Sequence, residues 1–241
     1  MKLGPIGPRP MLRLVWWLAA RLTVGLLFKA AFRIRIAGAH NIPDHGGALL
    51  AYNHISVLDP IAVSLAAARR GRQVRFLALS ELFGHGWVGW GLRRTGQIPL
   101  RRGLGDWPAI EHVADAIRTG SLAGMSPEGT VGKGTSLQPG QRGAARIALA
   151  AGAPVIPVGL WGTQDRWPKD GLRWRRPIRP TLGVVVRPAL QTTGDARDRK
   201  AVLAFTERLM KELEGAVSLA RALSGSGDDG APGKADEPSG A

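Results

Sequence analysis

Along most of its length the chain switches repeatedly between short apolar runs and longer stretches with helical spacing. ALLAYN (48–53) precedes PIAVSLAAARR, VRFLAL precedes WPAIEHVADAIRT, SLAGMS precedes GAARIALAAG, and PVIPVGLW and TLGVVVRP follow. Apolar runs this short suit strands buried on both faces, and the stretches between them have the length of helices. The alternation predicts an α/β domain, a layered sheet flanked by helices. No internal repeat is present, and 241 residues suit one domain with a full core. A last helix is expected from about Asp198 to Leu219, packed on the outside.

The two ends differ in character. The N-terminal segment RPMLRLVWWLAARLTVGLLFKAAFRIRI is apolar from Met11 to Phe32, long enough to span a bilayer, but Arg13, Arg21 and Lys29 interrupt it. A central arginine costs about 2.5–3.5 kcal/mol on insertion scales, which disfavours a simple span. Charges eight residues apart advance about 80° around a helix, so the three share one broad sector and leave Leu12, Trp16, Leu22 and Leu26 largely outside it. That pattern predicts an amphipathic helix lying in the membrane interface over residues 1–34. No small-residue cleavage site closes the run, which argues against a signal peptide. Residues 35–221 are expected to form the folded domain. Residues 222–241, rich in Gly, Ser, Pro and Asp, are expected to be a disordered tail.

The 33 Lys and Arg against 18 Asp and Glu give a formal charge of +15, which calls for an anionic partner: a lipid surface, a nucleic acid or a phosphorylated substrate. RWRRPIRP (173–180) interleaves basic and aromatic residues as a nucleic-acid grip would. The other basic residues are dispersed and no recognition motif appears, so nucleic acid is not the expected partner. The absence of cysteine excludes a thiol nucleophile, a thiolate metal site and a disulfide framework.

Four stretches carry polar residues suited to chemistry. In NHISVLD, Asn53 to Asp59, the histidine and aspartate are five apart. On one continuous helix they would point about 140° apart, so they meet only across a bend from loop to helix. There Asp59 could hold one imidazole nitrogen and leave the other as a base. Equally, Asp59 before Pro60 is a helix start, and SVLD reads as a capping box from Ser56. SPEGT, Ser126 to Thr130, has the chemistry of a type I turn, which would place Glu128 at the tip of a surface loop. It also follows a candidate buried strand, and strand ends in α/β sheets are where ligands bind. GMSPE falls short of a serine-hydrolase elbow, since Glu128 stands where glycine is required. In GQIPLRRG, Arg101 and Arg102 are either a solvated face or a phosphate grip. In GAPVIPVGLWG, Pro154 and Pro157 limit ladder pairing, so a buried or edge strand with a purely structural role is expected.

Taken in order, NHISVLD, ELFGHGWVGWGLRRTGQIPLRRG, SPEGT and APVIPV resemble the four blocks of the lysophosphatidic acid acyltransferases, the 1-acyl-glycerol-3-phosphate acyltransferase family. The likeness runs from about Arg35 to Leu190, and N-H-x-x-x-x-D and P-E-G-T are its specific parts. It implies a glycerolipid acyltransferase-like fold with His54 as general base and Asp59 as its orienting partner. By the same resemblance the acceptor lies against Asn53, Arg101, Arg102, Glu128, Gly129 and Thr130. The implied reaction is direct acyl transfer from acyl-CoA or acyl carrier protein to a lysophospholipid hydroxyl, with no metal and no bound cofactor. Membrane lipids are the implied partners, and the cytoplasmic face of a membrane is the implied place. A non-catalytic lipid-binding member is the alternative. Two positions depart from the family: Arg101 stands where an acidic residue is usual, and Val131 where an arginine usually follows P-E-G-T.

Overall fold

The structure, a computed structural model, describes residues 10–100, 107–132, 136–173 and 179–225. Among the described residues are seven strands and six α-helices: α1 Pro10–Ala31, β1 Arg33–Ala37, β2 Ala48–Tyr52, α2 Asp59–Ala68, β3 Val74–Leu79, α3 Gly86–Arg94 and β4 Ile98–Leu100, then α4 Trp107–Arg118, β5 Leu122–Met125, α5 Gly143–Ala151, β6 Val155–Trp161, β7 Thr181–Val186 and α6 Arg199–Ser224. They form one sheet in the order β1-β7-β6-β2-β5-β3-β4. From β6 to β4 every pair is parallel; β7 runs antiparallel to β6, and β1 runs parallel to β7. The α/β expectation of a layered sheet flanked by helices is what the structure shows.

The two-residue period of the central strands sorts the core into two layers. From β2, Leu50 and Tyr52 join Phe28, Phe32, Ala62, Val63 and Ala66 on the face covered by α1 and α2. Leu49 and Ala51 join Ile110, Val113, Ile147, Phe205 and Leu209 on the face covered by α4, α5 and α6. All five residues of β2 and all seven of β6 are buried, as their unbroken apolar runs require.

One expectation is decided and two change. Strand β6 is the buried strand of the two alternatives, central despite Pro157: the Pro157 carbonyl accepts from Arg187 N (2.9 Å), so the position without an N–H faces the side where β7 ends. The last turn of α1 belongs to the core, with Phe28 stacked on Phe32 at 4.8 Å. On α1, Leu22, Leu26 and Leu27 are exposed beside Thr23 and Lys29, while Gly25 and Phe28 face inward. Helix α6 extends past the expected Leu219 to Ser224, which is buried, with Asp198 capping its start by accepting from Lys200 N. The first residues assigned to a tail are thus helical, and 226–241 lie outside the described residues. Among the described residues no helix is long and apolar enough to cross a membrane.

Candidate active site

Strands β5, β2 and β6 are neighbours and run the same way, so their C-terminal ends form one edge of the sheet. The loop 53–58 leaves β2 there, the turn 126–130 leaves β5, and the segment from Gly162 leaves β6. This is the edge at which α/β sheets bind ligands.

His54 stands at the first of these ends. Its Nδ1 lies 2.9 Å from Asp59 Oδ2, and its side chain is 21% exposed where that of Asp59 is 0%. Oδ2 also accepts from the backbone amides of Ile55 (2.7 Å) and Ser56 (2.7 Å), and Oδ1 accepts from the Thr163 hydroxyl (2.6 Å). A carboxylate with this set of donors is acceptor-only, so the ring proton sits on Nδ1 and Nε2 is left as the basic nitrogen. Asp59 takes the orienting role but not the helix-capping one: it is the first residue of α2, whose start has no side-chain cap, and its Oδ2 closes the preceding loop on the amides of Ile55 and Ser56 while it orients His54. Ser56 does not act as the front half of a capping box: its hydroxyl accepts from Leu58 N (3.1 Å) and donates to the Trp167 carbonyl (2.6 Å).

The SPEGT segment turns as its sequence demands, with Gly129 at φ 70°, but its Glu128 does not face solvent. Glu128 is 2% exposed and its two oxygens accept from His54 N (2.7 Å) and Gln138 N (2.8 Å). Gly132 N donates to His54 O (2.7 Å), so this segment grips the histidine's main chain on both sides. Burial pushes Glu128 above the usual carboxyl range, and the bonds from Gln138 and His54 only partly offset it. Its carboxylate is thus spent on backbone amides, which replaces the expected acceptor contact with a positioning role. Asn53 is likewise fully buried: its Nδ2 donates to Leu160 O (3.0 Å) and its Oδ1 accepts from Leu160 N (2.7 Å), tying the loop to β6 instead of reaching substrate. Gly129 and Thr130 are exposed and line the cleft. Arg101 and Arg102 lie outside the described residues, directly after β4.

The sequence reading missed Thr163. Its hydroxyl reaches Asp59 from 104 residues away, and the only local signal is a Gly-Thr pair at the end of a buried apolar run.

His54 opens into a cleft of about 1600 Å³. One part is apolar, between α1, α2, β3 and α3, with Val24, Ile61, Leu65, Phe76, Val88 and Leu92. The cleft is also lined by Gly129, Thr130 and Val131 and by the basic residues Arg142, Arg146 and Lys169. Bonds from Gln141 N to Pro127 O (2.7 Å) and from Gln138 N to Glu128 hold the start of α5 against the turn. Among the described residues no group of three or more His, Asp or Glu side chains could hold a metal ion.

Comparison with known proteins agrees with this geometry. The family model described as Acyltransferase matches residues 33–161, more than half of the chain. The chloroplastic 1-acyl-sn-glycerol-3-phosphate acyltransferase BAT2 of Brassica napus is 28% identical over 147 residues, which is 60% of this chain and 42% of that protein. The mouse 1-acyl-sn-glycerol-3-phosphate acyltransferase alpha is 29% identical over 179 residues, 73% of this chain and 61% of that protein. An uncharacterised Mycobacterium leprae protein is 30% identical over 156 residues, 58% of this chain and 40% of its own length. The chain thus spans about two fifths of the length of the Mycobacterium and Brassica relatives. The crystal structure of the 1-acyl-sn-glycerophosphate acyltransferase PlsC of Thermotoga maritima shares the fold, with a TM-score of 0.62 at 23% identity over 83% of this chain and 80% of that one. With the family model covering both strand-end segments that build the His54–Asp59 pair, the chain belongs to the acyltransferase family.

Proposed function

We propose that the protein transfers a fatty acyl group from a thioester, acyl-CoA or acyl carrier protein, to the hydroxyl of a lysophospholipid, with 1-acyl-glycerol-3-phosphate as the favoured acceptor, in phospholipid synthesis. The observation that carries this reading is the His54 imidazole, fixed on Nδ1 by buried Asp59 and facing a cleft lined by apolar and basic residues. The acceptor hydroxyl gives its proton to Nε2 as its oxygen attacks the thioester carbonyl. Asp59 stabilises the imidazolium that forms, as the acid does in a triad. Collapse of the tetrahedral intermediate breaks the C–S bond, and the imidazolium returns the proton to the departing sulfur. No acyl-enzyme intervenes.

The apolar part of the cleft suits acyl chains, and Arg142, Arg146 and Lys169 supply positive charge for an anionic headgroup. Val131 carries none, which is the observation behind a second reading, an acceptor other than lysophosphatidate. Leu22, Leu26 and Leu27 on α1 and Trp87 on α3 are exposed, and both helices border the cleft through Val24 and Trp87. Such an apolar rim supports seating on lipid, with the cleft open to the membrane and the donor arriving from the cytoplasmic side. A panel of lysolipids against both donors, with His54→Ala as blank, tests the reading. Turnover is expected with lysophosphatidate above all; turnover confined to zwitterionic lysolipids would select the second reading, and none with any lysolipid would contradict both.

A further inference from the structure

The two oxygens of Asp59 are held in different ways. Oδ2 takes its three donors from His54, Ile55 and Ser56, all from the loop just before Asp59. Oδ1 takes the Thr163 hydroxyl at 2.6 Å, from the segment that follows β6. The torsion about the Asp59 Cβ–Cγ bond has a broad energy well, and a turn moves both oxygens, stretching the bonds at Oδ2 and swinging it out of line with the His54 N–H. A second anchor on Oδ1 narrows that torsion further, and because Asp59 is acceptor-only the threonine hydroxyl must donate to it. The anchor is itself firmly placed: Thr163 is fully buried, and the same segment is tied again to the His54 loop where Ser56 Oγ donates to Trp167 O (2.6 Å).

We propose that Thr163 is a positioning residue of the acyl transfer: by holding Asp59 Oδ1 it fixes the plane of the carboxylate, and through it the His54 ring, in line with the acceptor hydroxyl. The segment after β6 is then part of the catalytic apparatus. The inference rests on the reading of His54 as the base.

The test compares Thr163→Val, which replaces the hydroxyl by a methyl of similar size, with Thr163→Ser, which keeps it, each alone and with Asp59→Asn. Thr163→Val is expected to lower kcat by about tenfold, as loss of one bond to a charged group would, with KM for donor and acceptor within about twofold. Thr163→Ser is expected to keep kcat within about twofold of the wild type even if its Tm falls. Added to Asp59→Asn, Thr163→Val is expected to cost less than about twofold more, since the pair acts as one unit. An unchanged kcat in Thr163→Val, an equal loss in the serine variant, or a full additional loss on top of Asp59→Asn overturns the proposal. Should the valine variant not fold, Thr163→Ala carries the same comparisons. Turnover surviving His54→Ala would defeat the reading of the site; an inactive His54→Ala beside a fully active Thr163→Val defeats this inference alone.

Discussion

At the scale of single residues, which way Glu128 points is set by partners far along the chain. The turn at Gly129 is legible in SPEGT, and so is the His54–Asp59 pairing once the loop-to-helix bend is granted. The direction in which the turn faces is not, because the amides of His54 and Gln138 that capture the carboxylate come from other segments. Asn53 and Thr163 were illegible for the same reason: each depends on β6 lying beside β2, a pairing no local pattern encodes. Burial gives Glu128 a testable pH signature. A carboxyl raised by folding contributes stability that is present below its unfolded value, about 4.3, and is lost as pH rises through its folded value. Glutamine does not titrate. The stability of the wild type relative to Glu128→Gln is therefore expected to be greatest in acid and to fall as pH rises from about 4 towards neutrality, measured by denaturant unfolding of both proteins across that range. A pH-independent difference would contradict the buried, raised carboxyl.

At the scale of elements, strands and helices were largely legible, because a fully buried strand writes itself as an unbroken apolar run. Their order in the sheet was not, and Pro157 left β6 open between buried and edge; it is buried because the missing N–H falls where β7 ends. The glycines of β6 and β7 mark how α6 approaches. A methyl on Gly159 would stand 2.1 Å from Ala216 O, and one on Gly183 would stand 2.1 Å from Ala220 O, so two adjacent strands leave a groove for successive turns of one helix. Gly159→Ala is expected to destabilise by about 1–3 kcal/mol, because the clash is with helix backbone and not with a side chain that can swing away. For a domain of this size each kcal/mol lowers Tm by about 2–4 °C, which thermal unfolding resolves. An unchanged Tm would show that α6 can shift without cost.

At the scale of the whole molecule, one sheet edge brings His54 and its buried supports to the cleft, and α1 and α3, which border the cleft, carry exposed Leu22, Leu26, Leu27 and Trp87. An N-terminal helix and a basic protein are legible in the sequence, but not that Phe28 in the last turn of α1 and Phe32 just after it complete the core. Deleting the helix would therefore remove part of the core. Leu26→Glu with Trp87→Ala instead leaves the core intact, since these side chains are 60% and 84% exposed. The pair is expected to weaken binding to anionic vesicles by at least about tenfold, through lost apolar contact and added negative charge. Unchanged vesicle binding would place the lipid contact elsewhere. The central claim, that His54 is the base of an acyl transfer, is tested most directly by release of free thiol from acyl-CoA in the presence of lysophosphatidate. Purified His54→Ala, with Tm close to that of the wild type, is expected to lose at least about a hundredfold in kcat, as removal of a general base does. A folded His54→Ala that released thiol at the wild-type rate would contradict the account.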